Sequence, residues 1–296
     1  MSTSAASTLI ARIQSMPTLP TIAFRVIEVT SDPESSANDL MKIISPDVSL
    51  TAKILKIANS PFYGLTRRIS TLQHAVTVLG FLEIRNLVIA TAAFESFKNF
   101  KLNKRFDINK FWKHSFCCGL AARVIAKDLN DKSNELFVAG LLHDIGKLAM
   151  YLTFPIEFMM HEEIMSPLKI KYTAFEAEKG VFGMTHDKVG LKLLERWMFP
   201  KSLVTAVGFH HRPLEEDKKS LYPVIIHIAD ILTHVYEMED DDDKNDSFGA
   251  EIFYSDIVNL TRSYGINWDM SDLSRLQEAL AKSIKEESGT IRKFFK

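Results

Sequence analysis

Few residues in this chain break helices, and the stretches between the breaks carry a helical pattern. The 296 residues include only 12 glycines and 10 prolines. Apolar residues recur at three- and four-residue steps, as at Ile22, Val26 and Val29, which share one face of a helix. We find no series of strand-like segments and no repeat at solenoid spacing. The sequence therefore predicts an all-α fold.

The breaks divide the chain into a series of predicted helices. Ser45-Pro46-Asp47 is typical of a helix start, with Ser45 as the N-cap and Pro46 at the first helical position. The helical pattern covers about residues 21–30, 70–79, 81–97, 111–129, 134–153, 172–180, 187–197, 202–210 and 221–236, and one or two amphipathic helices in 269–296.

Two charged segments suggest where the chain is divided. Residues 98–104 are polar and basic, and residues 237–246 are acidic and of low complexity, as in a solvated loop. We therefore expect an N-terminal helical part at 1–100, a helical core at 101–236, and an acidic loop with a C-terminal helical extension at 237–296.

Composition limits the cellular compartments and the classes of partner that the sequence predicts for this chain. Lys+Arg 36 against Asp+Glu 37 leaves a net charge of -1, which argues against a protein held on nucleic acid by bulk charge. The first ten residues lack the pattern of a secretory signal, and no uncharged apolar run approaches the roughly 20 residues that span a membrane. Cys117 and Cys118 are adjacent, so no disulfide framework is expected. These features predict a cytoplasmic protein with neither membrane nor nucleic acid as partner.

Histidines and aspartates suggest a divalent metal site. The informative side chains are His114, His143, Asp144, His186, His210, His211 and Asp230. Imidazoles and carboxylates together suit iron, manganese, zinc or nickel, and helical bundles draw such ligands from facing helices. Asp144 stands in the apolar segment 140–148, GLLHDIGKL, where a carboxylate is costly unless it is paired or coordinated. A single His or Asp is usually a satisfied polar residue, and the His210-His211 doublet could also cap a helix.

The segment GLLHDIGKL resembles the signature of the histidine–aspartate (HD) phosphohydrolase superfamily. That resemblance implies a first His at His114, the pair His143-Asp144, and a distant Asp at Asp230. Binuclear members of the HD-GYP type add histidines between the pair and the last Asp. His186 and the doublet His210-His211 match those in order. The resemblance thus implies one or two divalent ions, iron or manganese first, with zinc or nickel as the other choices.

A second resemblance, to HDOD proteins, covers roughly residues 13–236. It is carried by the phrases at 44–47 (ISPD), 55–60 (LKIANS), 75–80 (AVTVLG) and 85–88 (RNLV), and by Gly190, Leu194, Trp197 and Pro200. The chain departs from HD-GYP proteins after the doublet, because residues 210–215 read HHRPLE and no Gly-Tyr-Pro follows. This departure argues against hydrolysis of cyclic dinucleotides.

Two functions remain open from the sequence. The first is an HDOD signalling module that acts through ligand or protein binding, with other signalling proteins as partners and a phosphorylated small molecule as a candidate ligand. The alternative is a metal-dependent phosphohydrolase acting on a nucleotide or cyclic nucleotide. In it, Asp144 would bridge two ions and Lys147 would steady a phosphate oxygen; Arg85 and Arg212 are weaker phosphate contacts.

The remaining polar candidates are expected to serve structure. We expect a structural role for His74, His161, His227 and His234. Cys117 and Cys118 are expected to be buried packing residues, since free cysteines behave as small apolar groups. Glu178 could support a metal ligand, but a solvated side chain is the preferred interpretation.

Overall fold

The computed structural model describes residue 11 and residues 18–98, 106–131, 135–157, 172–216, 220–240 and 247–294. The fold is all-α, as predicted, and no strand occurs in these ranges. The N-terminal part also contains a short 3-10 helix, Pro61–Tyr63. Its α-helices are α1 (Thr21–Ser31), α2 (Ala37–Ile44), α3 (Val48–Ala58), α4 (Leu72–Leu79) and α5 (Phe81–Lys98).

The rest of the described chain continues the helical series. A second 3-10 helix covers Pro213–Glu215. The α-helices are α6 (Ile108–Asp128), α7 (Glu135–Leu142), α8 (Ile145–Thr153), α9 (Tyr172–Phe182), α10 (His186–Arg196), α11 (Lys201–Phe209), α12 (Leu221–Asp240), α13 (Ser247–Arg262) and α14 (Met270–Phe294).

Two predicted helix boundaries were wrong. Helix α3 begins at Val48 rather than at Ser45, because Asp47 is its N-cap and accepts a hydrogen bond from the Leu50 amide at 2.9 Å. Ser45 instead closes α2, a helix that the sequence pattern did not indicate. The helix predicted over 134–153 is two helices, α7 and α8, which break at His143 and Asp144.

Some predictions fall on parts of the chain that the structure does not describe. These are residues 99–104 of the basic segment, residues 241–246 of the acidic segment, and His161. The boundary expected at residue 237 falls inside α12, which continues to Asp240. Glu237 therefore belongs to a helix and not to the expected acidic loop.

One hydrophobic core runs through both the N-terminal part and the helices that follow. The rings of Phe62 and Phe137 lie 4.6 Å apart, and those of Phe97 and Trp197 lie 5.9 Å apart. Arg85 of α5 forms a buried ion pair with Glu135 at the start of α7. The interface between the two parts is therefore apolar, with an internal ion pair.

Close helix contacts at two glycines bring the histidine-bearing helices together. A Cβ on Gly140 of α7 would lie 2.7 Å from Gly119 Cα of α6. A Cβ on Gly146 of α8 would lie 1.9 Å from the carbonyl oxygen of His186, the first residue of α10. Only a residue without a side chain allows these approaches. They set α6 against α7 and α8 against α10.

The segment Glu135–Thr153 is long and apolar enough to cross a membrane by length and composition alone, with a mean hydropathy of 1.3. However, 89% of it is buried inside the fold. Helices α4 and α5 would pass the same test only as one span, and they are bent by 115°. The apolar character of Glu135–Thr153 is accounted for by its central position in the core.

Candidate metal centre

At the break between α7 and α8, one ring nitrogen of His143 points into the interior of the fold. His143 is fully buried, and its Nδ1–H donates to the carbonyl of Gly140, one turn back, at 2.8 Å. That bond leaves the lone pair on Nε2. Nε2 has no hydrogen-bond partner among the described residues. Because the helix predicted over 134–153 breaks here, a helix end points into the site.

His210 repeats this arrangement at the end of α11. Its Nδ1–H donates to the Val207 carbonyl at 2.7 Å, and its buried Nε2 likewise lacks a hydrogen-bond partner in the described chain. Leaving a buried acceptor unsatisfied costs about 1–3 kcal/mol. The two side chains face the same interior space, since their ring centroids lie 5.2 Å apart. Two oriented imidazole nitrogens without a hydrogen-bond partner in the described chain fit a metal centre.

Four of the predicted ligands, including Asp144, form one group. The ligand atoms of Asp144, His186, His210 and His211 all lie within 4.8 Å of one another. His186 Nε2 is 3.2 Å from Asp144 Oδ1 and 2.9 Å from His211 Nε2. Two ligands held about 2.0–2.2 Å from the same ion are separated by about 3 Å. These spacings therefore suit a shared ion.

A second group lies on the other side of His143. Its first members, His114, His143 and Asp144, also have ligand atoms within 4.8 Å of one another. Asp230 Oδ1 is 3.1 Å from His114 Nε2 and 3.6 Å from His143 Nε2. The structure thus brings together all seven residues predicted as ligands. That they hold an ion stays a prediction.

Glu178 supports the first group in a way that the sequence analysis missed. It was expected to be solvated, but it is only 2% exposed. Its carboxylate accepts hydrogen bonds from His186 Nδ1 at 2.8 and 2.9 Å and from the His186 amide at 2.8 Å. A carboxylate on Nδ1 orients the ring and directs Nε2 to the site. The prediction failed because the contact depends on how α9 meets α10.

Two further residues of α12 contact the second group. His234 Nε2 lies 3.1 Å from Asp230 Oδ1, and Glu237 accepts from His114 Nδ1 at 3.2 Å. From the sequence, His234 was expected to serve structure and Glu237 to lie in a loop. A signal for these contacts was present in the sequence. Asp230, His234 and Glu237 are four and then three residues apart, a spacing that places all three on one helix face.

Electrostatic interactions keep Asp144 ionised and His210 neutral. Burial raises the pKa of Asp144, but the electrostatic influence of the neighbouring His143 and Lys147 outweighs burial and holds that pKa well below its usual value. Burial lowers the pKa of His186, but the carboxylates of Glu178 and Asp144 outweigh it and raise the pKa to about 9. For His210, burial and the neighbouring His143 and His186 lower the pKa to about 3. His210 therefore presents a neutral nitrogen to a cluster of carboxylates.

Each cation that the sequence offered as a phosphate contact is paired with a carboxylate. Lys147 Nζ donates to Asp144 Oδ2 at 2.7 Å. Arg212 donates to Asp187 at 2.7 Å and lies 3.4 Å from Glu215, and Arg85 pairs with Glu135. Arg85 thus links the N-terminal part to the core. Lys147 remains adjacent to the site, with its side chain 31% exposed.

The residues expected to serve structure do so in most described cases. Cys117 and Cys118 are buried and form no disulfide among the described residues, as predicted, and burial raises the pKa of Cys118. His227 Nδ1 donates to the His210 carbonyl at 2.7 Å and so supports the end of α11. His74 is exposed on α4.

Comparisons with known proteins agree with this architecture. A protein of Treponema pallidum (strain Nichols) is 24% identical over 229 residues, which are 77% of this chain and 43% of that protein. The chain therefore spans less than half the length of this relative. A candidate phosphohydrolase from Shewanella amazonensis SB2B superimposes with a TM-score of 0.76 at 23% identity, over 98% of this chain and 99% of that one.

A second crystal structure, an HDOD domain protein from Geobacter sulfurreducens, superimposes with a TM-score of 0.71 at 23% identity, over 98% of this chain and 97% of that one. At this identity the two structures establish the fold. The HDOD domain itself matches residues 16–213, more than half of the chain. The chain belongs to the HDOD domain family.

Proposed function

We propose that this chain is a cytoplasmic signal-transduction module of the HDOD kind, built around a metal centre of one or two divalent ions. It couples the binding of a ligand to contacts with other signalling proteins. The observation that carries this proposal is that the Nε2 atoms of His143 and His210 are buried, have no hydrogen-bond partner among the described residues, and face a cluster of carboxylates. One or two divalent ions would satisfy both nitrogens and neutralise the clustered negative charge.

The two groups of side chains suggest how the ligands would divide between two ions. His114, His143, Asp144 and Asp230 would hold one ion, and Asp144, His186, His210 and His211 would hold the other, with Asp144 contributing to both. The mixed imidazole and carboxylate donors favour iron or manganese, with zinc or nickel as alternatives. When bound, such ions polarise phosphoryl oxygens and lower the pKa of a coordinated water.

Two features favour binding over hydrolysis. The candidate phosphate contacts Lys147, Arg212 and Arg85 are each engaged with a carboxylate of the chain itself. A catalytic clamp must instead point its charge at the transferred or cleaved group. In addition, residues 210–215 lack the Gly-Tyr-Pro stretch of HD-GYP proteins. The metal centre therefore serves stability or ligand sensing in this proposal.

A cavity in the N-terminal part supports a phosphorylated ligand. It has a volume of about 770 Å³ and lies between α3 and the loop that follows, apart from the metal-site residues. Its lining includes the cations Lys56, Arg67 and Arg68, the apolar side chains Leu55 and Leu65, and no acidic residue among those described. Such a lining suits a ligand with an anionic group and an apolar body.

The alternative is a metal-dependent phosphohydrolase acting on a nucleotide or cyclic nucleotide. It is favoured by the completeness of the ligand set and by the similarity to the Shewanella structure, which carries a phosphohydrolase name. In this alternative Asp144 bridges the ions and Lys147 steadies a phosphate oxygen.

The test is an assay of the metal-loaded chain with cyclic dinucleotides and nucleoside monophosphates, measuring turnover by chromatography and binding by calorimetry. We expect weak or no turnover, with any binding lost in the Arg67→Glu/Arg68→Glu double variant but not in Lys42→Glu, whose side chain is not among those that line the cavity. Robust turnover that His143→Ala abolishes would establish the enzyme instead.

A further inference from the structure

Helix α12 presents three ionisable side chains to the second ligand group, and two of them lie outside the seven predicted ligands. Asp230, His234 and Glu237 follow one another at steps of four and three residues, so they lie along one face of the helix. Their side chains are 12%, 23% and 26% exposed. All three approach His114, which α6 supplies from more than 100 residues earlier in the chain.

The Glu237 carboxylate faces the Nδ1 atom of His114 and the Nδ1 atom of His234. Both of its carboxylate oxygens lie 3.2 Å from His114 Nδ1, and Oε2 lies 3.4 Å from His234 Nδ1. A carboxylate beside Nδ1 orients the ring and directs the Nε2 of the same ring toward the site. Glu178 does the same for His186.

The two Nε2 atoms then converge on a single oxygen. His114 Nε2 and His234 Nε2 each lie 3.1 Å from Asp230 Oδ1, and the rings are stacked with their centroids 4.5 Å apart. The three atoms are therefore close enough to be ligands of one ion. An ion bound there would replace the proton that His114 Nε2 and Asp230 Oδ1 share.

We propose that His234 is a further metal ligand, which joins His114, His143, Asp144 and Asp230 around one ion, and that Glu237 is the positioning residue for His114 and His234. The inference rests on the proposed metal centre and deepens it. The ligand atoms of His114, Asp230 and His234 all lie within 4.8 Å of one another, and His143 Nε2 lies 3.6 Å from Asp230 Oδ1. The resulting set of three imidazoles and two carboxylates suits the same divalent ions.

The experiment uses the full chain, stripped of metal and titrated with Zn²⁺ against a competing chelator. The test variants are His234→Gln, Glu237→Gln and His143→Ala. Glutamine at position 234 keeps a polar side chain but is a poor ligand. His74→Gln, at an exposed histidine, is the matched control. We expect His234→Gln to lower the affinity for one of the bound ions by at least about tenfold. Glu237→Gln should lower the affinity by about 10–100-fold, as the loss of an orienting carboxylate does. His74→Gln should bind like the wild type.

A second readout separates ligation from a structural role. In wild-type protein with ¹⁵N-labelled histidine, addition of Zn²⁺ should shift the His234 Nε2 resonance while Nδ1 keeps its proton. This measurement also decides the question if His234→Gln fails to fold. Zinc binding that His143→Ala weakens but His234→Gln leaves unchanged, or an unmoved His234 Nε2 resonance, would overturn this inference alone. A wild-type chain that binds no zinc would overturn the metal centre as well.

Discussion

Asp144 is the residue on which most contacts of the site converge. One of its oxygens lies 3.2 Å from His186 Nε2, and the other lies 3.5 Å from His143 Nε2 and accepts from Lys147. The side chain is almost completely buried, where an uncompensated carboxylate would be strongly destabilising. Its surroundings keep it ionised, which is the state that a bridging ligand requires.

The first prediction concerns the charge of Asp144. Asp144→Asn keeps the size of the side chain and removes the bridging charge, so we expect the purified variant to lose most of its metal. Elemental analysis of protein purified without added metal measures this. Asp107→Asn is the control, because Asp107 caps α6 away from the site and asparagine is an equally good N-cap. Unchanged metal content in Asp144→Asn would contradict a bridging role.

At the scale of elements, the contact between α8 and α10 determines the distance between Asp144 and His186. Asp144 immediately precedes α8, and His186 is the first residue of α10. Gly146, in the first turn of α8, meets the backbone of His186 and Gly190. Because the opposing atoms are backbone, an added methyl group could be accommodated only by moving one helix away from the other.

The second prediction is that Gly146→Ala destabilises the protein and weakens metal binding together. Overpacking of a tight contact typically costs about 1–3 kcal/mol, measurable as a lower urea midpoint. Gly289→Ala is the matched control. Gly289 lies in α14 with no atom within 4 Å of an added Cβ, so this substitution should stabilise by about 0.5–1 kcal/mol. If the two variants had the same urea midpoint and the same metal affinity, the close contact between α8 and α10 would not be required.

At the scale of the whole molecule, the N-terminal helices and the metal-bearing helices share their core. Phe62 packs on Phe137, and the Arg123 guanidinium of α6 lies 3.9 Å from the centre of the Phe62 ring. Helix α14 contacts both α6 and the Pro61–Tyr63 turn. The N-terminal part therefore covers apolar surface that the remaining helices would otherwise expose.

The third prediction is that residues 101–296 do not fold alone. Removing residues 1–100 takes away the Phe62 ring that packs on Phe137, the Phe97 ring that packs on Trp197, and the Arg85 partner of Glu135. We expect an insoluble or molten fragment, with helical far-ultraviolet dichroism but no cooperative thermal transition. The full-length chain, measured beside it, should unfold in one transition. A soluble fragment with a sharp transition of its own would instead show two independent domains.

The all-α class and most helix positions could be predicted from the sequence alone, because helical periodicity and sparse glycine and proline act locally. The order of histidines and aspartates along the chain likewise indicated seven ligand candidates, and the structure brings these together. The capping of α3 by Asp47 and the break before Asp144 could not be predicted, since local patterns there fit an earlier start and a continuous helix equally well.

What only the tertiary structure decided are the pairings between residues of different helices. Glu178 of α9 is a buried partner of His186 at the start of α10, and Arg85 is unavailable to a phosphate because α5 meets Glu135 of α7. His234 and Glu237 reach His114 because α12 lies along α6. Such contacts depend on which faces of separate helices meet, and a helical pattern specifies that a face is buried without specifying what covers it.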